Sequence, residues 1–157
     1  MSTVATIRAA ILDVLQAVTD IGVVNDFERY TQAMSDLRTQ CVTTIGADEQ
    51  LRGWHIRRLS YRETLVDSER WSVLTQWRIR GFMALSDAAG TEKTFDDLID
   101  AAADAFRADP TLGGVVFSTL NPQSDETGLQ LVQSRPVLFA GVLCHSAELN
   151  LYTQHLI

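Results

Sequence analysis

Apolar residues near the start of the chain recur at helical spacing. Val4, Ile7, Ile11, Val14 and Val18 share one stripe, and Leu15 widens it. The spacing predicts an amphipathic helix over about residues 3 to 19, with Gly22 just beyond as its C′ residue. Residues 23 to 30, VVNDFERY, predict a short strand or the entry to one. Residues 31 to 45 support two readings. Met34, Leu37, Cys41 and Val42 fit a helix stripe, whereas CVTTI fits a strand. A polar turn follows from Gly46 to Gln50.

The pattern then changes period. Residues 53 to 66, GWHIRRLSYRETLV, are rich in aromatic and β-branched side chains and predict a strand. Asp67, Ser68 and Glu69 make a tight polar connection, and residues 70 to 85 predict the strand that returns. Its alternation places Trp71, Val73, Thr75, Trp77, Ile79 and Met83 on one face, and Ser72, Gln76, Arg78 and Arg80 on the other. The tryptophans are therefore expected in the core and the arginines away from it.

A loop at 86 to 91 leads to a second helix, about 92 to 108, with Phe95, Leu98, Ala102, Ala105 and Phe106 as its apolar stripe. Glu92, Asp96 and Asp97 suit the positive end of its dipole, and Asp109-Pro110 stops it. Val115 to Ser118 predicts a short strand, NPQSDETG a polar loop or hairpin tip, and the remainder extended chain. Gly141 inside that run suggests a bulge or a close packing contact. The order predicts one α+β domain over residues 1 to 157, a mostly antiparallel sheet with two or three helices packed on one face.

Composition narrows the function classes. The chain has 157 residues, 46% hydrophobic and 21% charged, enough to bury a core without disulfides or metal. Its formal net charge of −7 argues against a general nucleic-acid binder. No run approaches the roughly 20 apolar residues of a membrane span, and the start lacks the pattern of a secretory signal. A reduced, cytosolic protein with two free thiols is the expectation, with no membrane partner.

Candidate chemistry is sparse. Cys144 and His145 are neighbours on an extended run, so their side chains point to opposite faces and do not share a metal easily. No CxxC or HxxxH spacing occurs, and Gly113-Gly114 lacks the frame of a phosphate loop. Asp96, Asp100 and Asp104 recur every four residues and, with Asp97, mark a solvated helix face rather than an acid-base or metal site. Catalytic residues, cofactors and metals are accordingly not expected. A pocket lined by Trp54, Tyr61, Trp71 and Trp77, serving a small molecule, is the competing reading.

The uneven feature is arginine. Arg52, Arg57, Arg58, Arg62, Arg70, Arg78 and Arg80 fall in one predicted hairpin, whereas Lys93 is the only lysine in the chain. Arginine's planar fork suits paired, partly desolvated contacts. One reading is a solvated outer face with cross-strand pairs, such as Arg62 or Arg70 with Glu63 or Glu69. A second is a basic surface, Arg57, Arg58, Arg62, Arg78 and Arg80, that meets the acidic helix of a neighbouring copy through Asp96, Asp97, Asp100 and Asp104. Unlike patches meeting head to tail close into a ring when the rotation allows. A third is contact with nucleic acid, which the net charge disfavours.

With these elements in order, the chain resembles the phage tail terminator, or tail completion, proteins. The resemblance rests on the N-terminal helix, IGVVNDFERY, RGWHIRR, WRIRGFMALSDAAGTEKTFDDLIDAAADAFRADPTLGG and FAGVLCHSAELNLYTQ. The string from Trp77 to Gly114 is its most specific part. The resemblance implies a small α+β subunit of a virion, assembled in the host cytoplasm, that caps the tail tube as a homohexameric ring. Such a ring ends tube polymerisation and offers the surface that a head-tail connector or head completion protein joins. DNA would pass its channel without specific binding. No reaction, cofactor or catalytic residue is implied. Other pieces of the same junction, a head completion or tail tube protein, are similar in size and composition.

Overall fold

The computed structural model describes residues 2 to 29 and 34 to 157. Residues 30 to 33, where the expected first strand ends and the ambiguous run begins, lie outside the described residues, as do the side chains of Met34 and Leu37. The chain folds as α+β with a mostly antiparallel sheet.

Helix α1 spans Val4–Gln16. Thr3 caps it reciprocally: its Oγ1 accepts from the Thr6 amide at 3.2 Å, and the Thr6 hydroxyl oxygen accepts from the Thr3 amide at 2.7 Å. Ile7, Ile11 and Leu15 are buried, as their spacing requires. The helix ends earlier than the apolar stripe, because the chain turns through Ala17 to Asp20, and Val18 is buried from that turn. Gly22 is therefore not a helix cap. Its φ of +94° belongs to a close approach, since a Cβ there would lie 2.5 Å from Arg52 Cβ.

Strand β1, Val23–Asn25, runs parallel to Gly53–His55. The ambiguous run contains both of its readings in sequence: helix α2, Met34–Thr39, then strand β2, Val42–Ile45, which pairs back on the next strand. That strand, β3, spans Asp48–Leu65, and β4 spans Trp71–Ala84. The two form the predicted hairpin, with a bulge between Arg58 and Ser60. Asp67 shapes its turn, accepting from the amides of Glu69 and Arg70 at 3.0 Å each. Arg70 pairs with Asp67 and not with Glu63 or Glu69.

Helix α3 spans Thr91–Ala108 and buries Phe95, Leu98, Ile99, Ala102 and Phe106. The segment from Val115 to Ser118 makes only an isolated bridge, Ser118 to Gln154, because it meets β6 at a single position. Strands β5, Gln130–Phe139, and β6, Val142–Leu156, form a second hairpin. Ala140 and Gly141 have φ values of +50° and +77°, so Gly141 makes the hairpin turn rather than a bulge.

The sheet order is β1-β3-β4-β6-β5, with β2 attached to β3. Its inner face carries Trp54, Ile56, Trp77, Ile79, Met83, Leu149 and Leu151, packed against the buried sides of α1 and α3. Among the described residues, two helices line that face. Cys41, two residues after α2, packs instead on the opposite side, with Leu51, Phe82 and Cys144. Phe82 stacks there on Phe139 with ring centroids 4.1 Å apart.

Trp71 corrects the core prediction. It lies on the inner side of β4, yet it is 43% exposed. Among the described residues, neither α1 nor α3 closes over the sheet at this end, and Trp71 is left partly open. Trp77 and Trp54 are buried as expected, and each indole N–H is satisfied: Trp77 by Thr153 Oγ1 at 2.8 Å and Trp54 by Ile21 O at 2.7 Å.

Candidate functional site

The arginines of the hairpin divide between the faces by period 2. Arg57, Arg62, Arg78 and Arg80 project from the outer face, the one without α1 and α3. Arg58, one residue from Arg57, lies on the inner side, where its guanidinium sits 5.3 Å from the Tyr61 ring centroid. The predicted basic surface is therefore not a single patch.

Three of the outer arginines are ion-paired inside the chain. Arg57 Nη1 and Arg80 Nη1 reach the two carboxylate oxygens of Glu28 at 3.1 and 3.0 Å. Arg78 Nε lies 2.9 Å from Glu148 Oε1. All are partly solvated, so each pair contributes no more than about 1 kcal/mol. Glu28 and Glu148 were not legible as partners. Glu28 arrives from the segment after β1, and Glu148 depends on the register of β6 against β4.

The acids predicted to face a neighbour, Asp96, Asp97, Asp100 and Asp104, are all exposed on α3. Asp104 pairs with Arg107 on its own helix. Because α3 packs on the inner face, these acids and the outer arginines lie on opposite sides of the sheet. No ion pair between the two sets occurs among the described residues.

The histidines and cysteines are placed apart. Cys144 is in the outer cluster with Cys41, while His145 faces inward, stacks on Phe95 and lies 2.8 Å from Thr91 Oγ1 through Nε2. Burial pushes the Cys144 thiol up to about 11, helped by the neighbouring Cys41. Burial also raises Cys41, with Arg29 opposing it. Both sulfurs are thus poor nucleophiles. His55 lies beside the stacked pair of Phe82 and Phe139, its ring centroid 6.0 and 6.4 Å from theirs. Burial pulls its pKa down, and Glu28 partly offsets that. His155 is buried with Nδ1 unpartnered, and burial lowers its pKa too. Among the described residues, no three His, Cys, Asp or Glu side chains converge as a metal site would require.

The aromatic pocket does not form as predicted. Trp54 and Trp77 are core residues. Tyr61 does border an open cleft of about 310 Å³, with Ser2, Thr3, Glu63 and His155. A larger cleft, about 400 Å³, lies between β3 and the loop before α3, lined by Arg38, Glu49, Leu51, Ser86 and Thr91.

What the surface does concentrate is apolar side chain at uncovered parts of the sheet. Leu65, Val66, Trp71, Leu156 and Ile157 are exposed at one end. Leu131, Val132, Leu138 and Leu143 are exposed on the β5–β6 hairpin. Sequence alternation alone could have flagged β5: its LVQSRPVLF has no polar face opposing an apolar one.

The arrangement defines an α+β domain with one face covered by helices, one largely bare, and open edges. Compared with known protein families and with curated proteins, the chain finds no match.

Proposed function

We propose that the protein is a structural assembly subunit, a tail terminator that closes as a homohexameric ring on the end of a phage tail tube. In that role it stops tube growth and presents the surface for the head-tail connector. The observation that carries this reading is the exposed apolar surface at the open parts of the sheet. A soluble monomer rarely leaves such area uncovered unless a partner takes it. The resemblance from Trp77 to Gly114 supports the same reading and supplies its particular form. It includes Gly81-Phe82 and the loop that leads into α3. A head completion or tail tube protein would use the same kind of surface, and its position in the particle separates these roles.

The test is assembly. Light scattering on a sizing column and negative-stain images should give a six-membered ring with a central hole, formed alone or on purified tail tubes. Tubes polymerised with the protein present should stop at capped ends. A monomer that leaves tube ends bare and tube length unchanged would sink the proposal.

A further inference from the structure

Among the described residues, the sheet has two edges that lack a strand partner over part or all of their length. On one side, β1 covers β3 only from Gly53 to His55. The next outward carbonyl, Ile56 O, accepts from Arg8 Nη1 at 3.4 Å. From Arg58 to Leu65, β3 pairs with β4 alone among the described strands. On the other side, β5 pairs with β6 alone among the described strands. Its ten residues are exposed or half-exposed throughout. Each edge therefore offers a row of backbone donors and acceptors to solvent, which natural proteins usually blunt. The blunting here is partial. Pro136 removes one donor, and a bulge interrupts β5 between Leu131 and Gln133. Gln133 to Arg135 stays extended between them.

We infer that the two edges are made for each other: β5 of one copy adds to the Arg58–Leu65 edge of β3 in the next copy. Three observations support this occupant over an unrelated one. The free runs are of comparable length. Successive pairs in the order β3-β4-β6-β5 are antiparallel, so β5 runs opposite to β3. Joining copies side by side then continues an antiparallel sheet without reversing either face. The edges lie on opposite sides of one domain, so the contact is heterologous and propagates until it closes. The neighbour also covers Tyr61 and Leu65 on one side and Leu131 and Val132 on the other, which are among the exposed apolar residues. In this geometry Arg57, Arg78 and Arg80 keep their partners Glu28 and Glu148. The α3 acids lie on the helix side of the joined sheet, away from the joint.

The inference rests on the ring reading and specifies its joint. The test uses single and paired surface cysteines in the full chain, since both native thiols are buried. Arg62 and Gln133 both project from the outer face. Arg62→Cys with Gln133→Cys, and Ser60→Cys or Thr64→Cys in place of the former to cover neighbouring registers, are oxidised mildly in the assembled particle, free or tube-bound. One paired variant should give a ladder of covalent multimers ending at the ring size, while each single variant stays monomeric under denaturing conditions. Ser134→Pro, at a residue that opposes Ala147 and whose own amide faces away from β6, is checked for an unchanged melting temperature and should weaken self-association by at least about tenfold. A ring that assembles while no pair cross-links overturns the joint and leaves the ring. Cross-linked dimers from single variants overturn it in favour of an isologous contact. Absence of any particle, with tube ends bare, fails the ring reading itself.

Discussion

Gly81 faces Trp54 across the β3–β4 ladder, and the indole lies over it. A Cβ at Gly81 would meet the six-membered ring of Trp54 at 2.3 Å. The same indole is held by Ile21 O and stacked on Phe95 at 5.8 Å between centroids, so it has little room to yield. Gly81→Ala should therefore destabilise the fold by about 1–3 kcal/mol through overpacking. Urea unfolding checks this, and an unchanged midpoint would mean that Trp54 can move. A second prediction concerns the histidines. His55 and His155 are held below their ordinary value of 6.5, chiefly by burial. The unfolded chain takes up these protons first as pH falls. Stability should therefore decrease from pH 6.5 down toward the folded values and stop changing from this cause below them. Melting temperatures between about pH 8 and pH 5 check the sign, and His155→Gln should flatten part of the slope. At this scale much was readable. The alternation of β4 placed Trp77 inside and Arg78 outside. It could not show that Trp71, on the same stripe, outruns the helices.

At the scale of elements, local chemistry and tertiary pairing contribute differently. The start of α1 is set by its own sequence, because Thr3 and Thr6 satisfy each other's backbone groups. Thr3→Ala should cost about 1 kcal/mol, measured by thermal or urea unfolding, with Thr3→Ser retaining most of the stability. Neither change should move the strands. Helix α3 was legible from Phe95 to Phe106, and its stop at Asp109-Pro110 from the proline. The β5–β6 hairpin was not, because Ala140-Gly141 lacks the usual Asn-Gly or Asp-Gly signal, and its flanks read as one apolar run. The run from 31 to 45 offered a helix and a strand as alternatives, and the chain uses them in succession. Segments this short are decided by what they pack on: Cys41 meets the outer cluster, and β2 meets β3.

At the scale of the whole molecule, charge and apolar surface point to different joints. Contacts between the α3 acids and the outer arginines would be screened by salt and broken by charge reversal. A joint between sheet edges relies on backbone hydrogen bonds and apolar side chains. Particle size should therefore hold at about 1 M salt, where the Debye length is only about 3 Å. Asp97→Lys with Asp100→Lys should likewise leave assembly within about twofold of the parent. Dissociation under either condition would return the charged surfaces to the centre of the assembly. The thiols give a further check on the folded particle. Buried Cys144, pushed up to about 11, should react with thiol reagents near neutral pH only on unfolding.

The sequence by itself determined helices α1 and α3, the long β3–β4 hairpin, the α+β class and the side of β4 that carries apolar residues. These follow from local periods of 3.6 and 2 and from capping and turn residues close in the chain. Tertiary structure alone decided which strands lie at the edges, where the helical layer stops, and that Glu28 and Glu148 pair with Arg57, Arg80 and Arg78. Each of these depends on register between segments far apart in sequence, which the backbone period leaves open.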